Sequence, residues 1–149
     1  MVQVGVIGSG KCDSELLKIA ERVGELLAEN GCVVINGGLG GVMEASSRGA
    51  RRKGGTVVGV LPTADKEQAN PYVSIAIATN MGHARNMIIV HSSDAIIAIG
   101  GGYGTISEMA IGLKEGKRVV AIKPLVVLPG LIVANSPEEA VKKTLEGLV

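Results

Sequence analysis

Short runs of Val, Ile and Ala alternate with stretches of helical periodicity from end to end, and this alternation constrains the fold more than any other feature of the chain. Gln3–Ile7, Cys32–Ile35, Thr56–Leu61, Ser74–Ala78, Asp94–Ile99 and Arg118–Ile122 read as strands, with a short further strand around Ile132. Between the first two, Ser14–Asn30 places Leu16, Leu17, Ala20, Val23, Leu26 and Leu27 at helical spacing. Gly41–Lys53, Gly82–His91, Ile106–Lys114 and Ser136–Leu148 read as further helices, the last opened by Ser136 as cap, Pro137 in the first turn and a capping-box Glu. Residues 62–72 form a polar loop. Strands that are apolar throughout are buried on both faces, as in parallel sheets, and strand–helix alternation makes the crossovers right-handed. The expected fold is therefore α/β: a Rossmann-like, doubly wound, mostly parallel sheet with helices on both faces, in a single domain over residues 1–149. No internal repeat or low-complexity linker divides the chain.

In such sheets ligands sit outside the carboxyl ends of the strands, at the point where the strand order reverses. Three glycine clusters fall in the turns that leave three apolar strands: Gly8-Ser9-Gly10, Gly37-Gly38-Leu39-Gly40-Gly41, and Gly100-Gly101-Gly102-Tyr103-Gly104. One such cluster could serve only a tight turn. Three at one edge, each leading into a helix N-terminus, point to a phosphate or another anion. Gly8, Ser9, Gly37, Gly38, Gly40, Gly41, Gly101, Gly102, Gly104 and Thr105 are the candidate ligand-binding residues. GSGKCDS lacks the spacing of a P-loop, and Gly37–Gly41 is not a dinucleotide fingerprint, which argues against an ATPase or an NAD dehydrogenase.

Composition narrows the partners. With 46% hydrophobic and 19% charged residues, the chain is not of a disordered type. No apolar run is long enough to span a membrane, and the N-terminus enters a strand without a signal-like segment, so a cytoplasmic protein without a membrane partner is expected. A net charge of +1 and an aromatic complement of Tyr72 and Tyr103 alone disfavour nucleic acid. Arg48, Arg51, Arg52 and Lys53 read as a solvated helix end. Cys12 and Cys32 match no zinc spacing, and no cluster of ligand-type residues suggests a metal.

Thr105 and Glu108 have the T-x-x-E spacing of a capping box before an apolar helix, and the spacing alone favours that role. A glutamate there would still stand where a ligand meets the helix end. His83, two residues before Arg85, would point elsewhere on a helix, as an auxiliary ligand contact or a surface residue; His91 reads as structural, and Asp94 as a local cap or pair.

GGGYGTISE, residues 100–108, resembles the PGGxGTxxE motif of the LOG-type phosphoribohydrolases, often mislabelled lysine decarboxylases. His83-Ala84-Arg85-Asn86 resembles that family's H-x-R-K segment, with Arg85 fifteen residues ahead of Gly100, and NGGLGGVMEA, residues 36–45, resembles its earlier glycine-rich segment. The chain departs from the pattern at Gly100, where the phosphoribohydrolases have Pro, at Asn86 in place of Lys, and at Glu44 in place of Gly. Its stretch after Glu108 is also short. These features are similar to a compact branch of the superfamily, related to molybdenum-cofactor carrier proteins and more distantly to the Rossmann domain of DprA.

The resemblance implies cleavage of a nucleoside 5′-monophosphate to base and ribose 5-phosphate. The glycine loops and Thr105 would hold the phosphate, and Arg85 and Glu108 would be the catalytic pair. It implies equally a non-catalytic carrier or sensor of a phosphorylated pterin, the molybdenum cofactor, or of a nucleotide. No cofactor is required for the first activity, and a homodimer or dimer-based oligomer is expected.

Overall fold

Val and Ile in unbroken runs favour extended backbone and bury both faces of a strand. The computed structural model, which describes residues 1–149, follows that rule across most of its sheet. In chain order it contains β1 (Gln3–Gly8), α1 (Ser14–Glu29), β2 (Val33–Asn36), α2 (Val42–Arg52), β3 (Val57–Leu61), β4 (Ile75–Ala78), α3 (Arg85–Ser92), β5 (Ala95–Ile99), α4 (Tyr103–Lys114), β6 (Arg118–Ile122), β7 (Ile132–Ala134) and α5 (Pro137–Leu145). The seven strands lie in the order β4-β3-β2-β1-β5-β6-β7 and every neighbouring pair is parallel. The chain first winds outward from β1 to β4, then crosses back to lay β5 on the other side of β1, with Gly8 in register with Ile99. The order therefore reverses between β1 and β5, directly beside the first glycine cluster.

Alternate residues of the central strands feed two cores. Val4, Val6, Ile97, Ile99, Val120 and Ile122 pack under α1, α2 and α5. Ile7, Ile96, Ala98, Val119 and Ala121 pack under α3 and α4. At one edge of the sheet, β4 departs from the expected burial: Ile75 and Ile77 are 54% and 45% exposed, and neither core includes them.

Helices α1 and α2 touch backbone to backbone. A Cβ at Gly24 would fall 2.1 Å from the carbonyl oxygen of Ser46, and one at Gly49 would fall 1.9 Å from that of Glu21. Ion pairs then line the seam: Arg52 to Glu21 at 2.7 Å, Arg48 to Glu21 at 3.3 Å and Lys53 to Glu29 at 3.6 Å. Arg48, Arg52 and Lys53 of the basic cluster thus pair with acidic residues of the neighbouring helix, while Arg51 reaches the Tyr72 carbonyl and Ser74 Oγ. No helix is long and apolar enough to cross a membrane.

Candidate functional site

The reversal of strand order opens a cavity of about 300 Å³ at the carboxyl ends of β1 and β5. Val6, Ile7 and Ile89 contribute apolar surface, and Gly8, Ser9 and Gly10 line it from the turn after β1. Gly37 and Met43 come from the segment joining β2 to α2, and His83, Arg85 and Asn86 from the segment entering α3. Gly102, Gly104, Thr105 and Glu108 belong to the start of α4. Of the residues singled out in the sequence, Gly8, Ser9, Gly37, Arg85, Gly102, Gly104, Thr105 and Glu108 meet here. Gly38, Gly40, Gly41 and Gly101 do not line this cavity.

Those four shape the turns instead. Gly38 donates its N–H to Asn36 Oδ1 at 2.8 Å and accepts from the Asn70 amide at 2.8 Å, so both its backbone groups serve the loop. Gly41 stands at φ +63°, and a Cβ there would strike the Ser9 carbonyl oxygen at 2.4 Å. Gly40 faces the Gly10 carbonyl. Gly101, at φ +100°, lies under Thr105, whose side chain begins 2.3 Å from where a Cβ would be.

Gly100 and Gly101, both at positive φ, complete the turn early enough for α4 to begin at Tyr103. The helix starts three residues before the predicted Ile106. The capping-box reading of Thr105 and Glu108 is therefore corrected: the residue at the cap is Gly102, and no side chain caps the helix. Thr105 lies in the first turn and Glu108 further in, both buried. The amides of Tyr103, Gly104 and Thr105 donate to no protein group. Helix α2 also starts without a side-chain cap. By contrast, Asp13 accepts from Leu16 N at 2.9 Å to cap α1, and Ser136 from Glu139 N at 3.0 Å to cap α5. Free amides and the positive end of the helix dipole are thus left facing the cavity, which is the arrangement that binds anions.

Two asparagines not singled out as site residues in the sequence hold the second glycine loop. Asn36 is fully buried, and its Nδ2 reaches the Met43 carbonyl at 3.0 Å and Ser47 Oγ at 2.9 Å, tying the end of β2 to the first turns of α2. Asn70, from the polar loop, donates Nδ2 to the Leu39 carbonyl at 2.9 Å. A polar residue closing an apolar strand just before glycines was the available clue to Asn36, since a buried amide must find partners.

Arg85 and Glu108 supply the charge. Burial raises the Glu108 carboxyl to about 7, against the pull of Arg85. Burial likewise lowers the Arg85 guanidinium, against the pull of Glu108. Glu108 accepts no hydrogen bond from the protein, and Arg85 bonds only Asn86 Oδ1, leaving its buried Nε without a partner. Room for the guanidinium exists because residue 37 is glycine: a Cβ there would fall 2.6 Å from Arg85 Nη2. His83, expected on a helix to point away from Arg85 as either an auxiliary ligand contact or a surface residue, lines the same cavity. Gly82–Ala84 is a separate 3-10 turn and α3 begins only at Arg85, so α-helical spacing does not relate the two residues. No group of three or more His, Cys, Asp and Glu could hold a metal ion. The arrangement can hold an anionic group and set beside it a carboxyl that exchanges its proton near neutral pH.

An open parallel sheet with this topology is a Rossmann-like α/β fold. The chain belongs to the SLOG cluster4 family, whose sequence model matches residues 1–146. An uncharacterized protein of Archaeoglobus fulgidus is 62% identical to it over 149 residues, covering 100% of this chain and 98% of that one. The cytokinin riboside 5′-monophosphate phosphoribohydrolase of Mycobacterium tuberculosis is 33% identical over 118 residues; the match takes in 77% of this chain but only 63% of the enzyme. Among solved structures, the molybdenum cofactor binding protein of Rippkaea orientalis superposes with a TM-score of 0.94 at 35% identity, over 99% of this chain and 98% of that one.

Proposed function

We propose that this protein binds a phosphorylated, nucleotide-like ligand in the cavity and hydrolyses a nucleoside 5′-monophosphate to free base and ribose 5-phosphate. The observation that carries the reading is Glu108, a buried carboxyl without a hydrogen-bond partner, facing a cavity that also holds an under-bonded arginine. Burying such a group costs stability, and perturbed carboxyls in clefts mark sites of chemistry.

The 5′-phosphate would accept from the Tyr103, Gly104 and Thr105 amides and from the Thr105 hydroxyl, with Arg85 neutralising its charge. Ionised Glu108 would stabilise the oxocarbenium-like sugar carbon and take a proton from the attacking water, much as carboxylates serve glycosidases. Water adds to C1′ of the ribose as a hydroxyl, its other proton goes to Glu108, the electrons of the C1′–N bond leave with the base, and the base takes up a proton from solvent.

A second reading, a carrier of a phosphorylated pterin such as the molybdenum cofactor, is favoured by the match to the Rippkaea orientalis protein along nearly the whole of both chains. Such a carrier needs the glycine loops and helix amides but not the chemistry of Glu108. In either reading the chain acts as a single domain in the cytoplasm, as a homodimer or an oligomer built from dimers.

The test is incubation of the purified protein with a panel of nucleoside 5′-monophosphates, with free base resolved by chromatography and Glu108→Gln run alongside. Base release that vanishes in the variant supports the hydrolase. Thermal stabilisation by these nucleotides without release supports the carrier or sensor. The absence of both refutes the binding of a phosphorylated nucleotide-like ligand.

A further inference from the structure

His83 lines the cavity, and the hydrolase reading leaves it without a task. The chain has two histidines. His91 lies outside the cavity and pairs with Glu115 at 3.8 Å. His83 is exposed, and its ring has neither a hydrogen bond nor an ion pair. Its backbone, by contrast, is fixed by the end of β3. Asn80, at φ +52°, and Gly82, at φ +57°, turn the chain sharply after β4. The Asn80 amide donates to the Thr63 carbonyl and the Gly82 amide to that of Pro62, both at 3.0 Å, and the Thr79 hydroxyl donates to that of Leu61 at 2.7 Å. A non-glycine residue at positive φ persists only where its surroundings hold it, and such positions gather at functional sites.

Hydrolysis of the C1′–N bond moves two protons, one from the attacking water and one to the departing base. Water and base stand on opposite faces of the sugar. Glu108, buried and without a hydrogen-bond partner in this cavity, takes the first proton. A cavity of about 300 Å³ is about 8 Å across. A proton acceptor and a proton donor that serve opposite faces of one sugar, with the water between, stand roughly 6.5–9.5 Å apart. Val6, Ile7 and Ile89 are buried, so the base leaves toward solvent, on the side where His83 is exposed. The charged groups that share the cavity with His83 are Arg85, from the same segment, and Glu108, from α4. A guanidinium does not give up its proton, and Glu108 is engaged with the water. His83 remains, and imidazole is the side chain most often used for such a transfer.

We infer that His83 is the general acid: its imidazolium protonates a ring nitrogen of the base as the C1′–N electron pair moves into that ring, and the imidazole then takes a proton back from solvent. The inference rests on the hydrolase reading of the cavity.

Steady-state kinetics of the full chain test it, on whichever nucleoside 5′-monophosphate is turned over fastest and with His83→Gln alongside. The ring bonds to nothing, so the variant keeps the fold, and an unchanged melting temperature verifies this. In the variant kcat should fall about a hundredfold while KM stays within about twofold. Wild-type kcat should rise with pH as Glu108 ionises and fall again as the imidazolium loses its proton. The variant should lose the falling limb alone. A wild type without that limb, or a variant that keeps it, keeps kcat or changes KM alone, overturns the general acid while leaving the hydrolase reading intact. A wild type that releases no base from any nucleotide overturns both.

Discussion

Replacing Glu108 with Gln should stabilise the protein, and only at a pH where the carboxyl would ionise. The side chain is 7% exposed, so solvent screens it little, and its proton is held up to about pH 7 in the folded state against an ordinary value of 4.5. Below the ordinary value both folded and unfolded chains keep the proton and nothing is lost. Between the two values the folded chain holds a proton that the unfolded chain has released, so stability falls as pH rises. Above about 7 the loss is complete. At about 1.4 kcal/mol per pH unit between the two values, it amounts to roughly 3 kcal/mol. Gln fills the same space without a charge and escapes the loss. Guanidinium unfolding of both proteins at pH 5 and pH 8.5 reads the difference directly. The variant should exceed the wild type by under about 1 kcal/mol at pH 5 and by roughly 3 kcal/mol at pH 8.5. A gap that does not change with pH, or a wild type that is the more stable at pH 8.5, refutes the reasoning. On the hydrolase reading the stabilised variant is also the inactive one, so the cost in stability and the activity would reside in the same carboxyl.

Gly37→Ala places a Cβ 2.6 Å from Arg85 Nη2 and from Met43 Sδ, both ends of flexible side chains. Calorimetry should show nucleotide affinity falling tenfold or more, while the unfolding midpoint reports a loss of only about 1 kcal/mol. Gly49→Ala meets backbone instead, the Glu21 carbonyl oxygen at 1.9 Å, and must push α1 from α2. Chemical unfolding should register at least about 1–3 kcal/mol of destabilisation, with ligand affinity of the folded protein unchanged. Asn36→Leu strands the Gly38 N–H, which loses its 2.8 Å acceptor, and removes a donor from the Met43 carbonyl. It should cost about 2–4 kcal/mol by the same measurement, and should weaken nucleotide binding because the second glycine loop loses its anchor.

How far the sequence carried the fold differs from element to element. The strands around Ile7, Ile97 and Val120 and the long first helix were legible because burial writes a period into the chain, unbroken apolar runs for the first and a stripe for the second. β4 shows the limit. Ile75-Ala76-Ile77-Ala78 reads like a central strand, yet it lies at the sheet edge, and no local pattern reports what packs on a neighbouring face. Thr105 and Glu108 fitted a capping box by spacing, but the positive φ of Gly100 and Gly101 completes the turn sooner, so the helix has already begun when Thr105 is reached. Glycine letters mark a turn without stating where it ends. Arg85 and Glu108 were legible through family motifs, whereas Asn36 and Asn70 were not, because a lone polar residue has no period and its partners lie elsewhere in the chain.

The exposed edge strand has a bearing on motion. Arg85 is reached through β4, which is joined to the rest of the sheet by four register pairs with β3 and nothing more. The bonds that follow run to the same neighbourhood: Thr79 N to the Leu61 carbonyl, Asn80 N to that of Thr63 and Gly82 N to that of Pro62. The segment from β4 to Arg85 is therefore held at the sheet only through the end of β3, and beyond Arg85 through the buried Ile89 and Val90 of α3. The cationic wall of the cavity follows this edge of the sheet in the chain, and the unbonded amides of α4 follow the buried strand β5. A ligand that grips both would couple the edge of the sheet to its centre, and its arrival should be recorded as slowed amide exchange along Ile75–Ala78, on a strand that does not itself line the cavity.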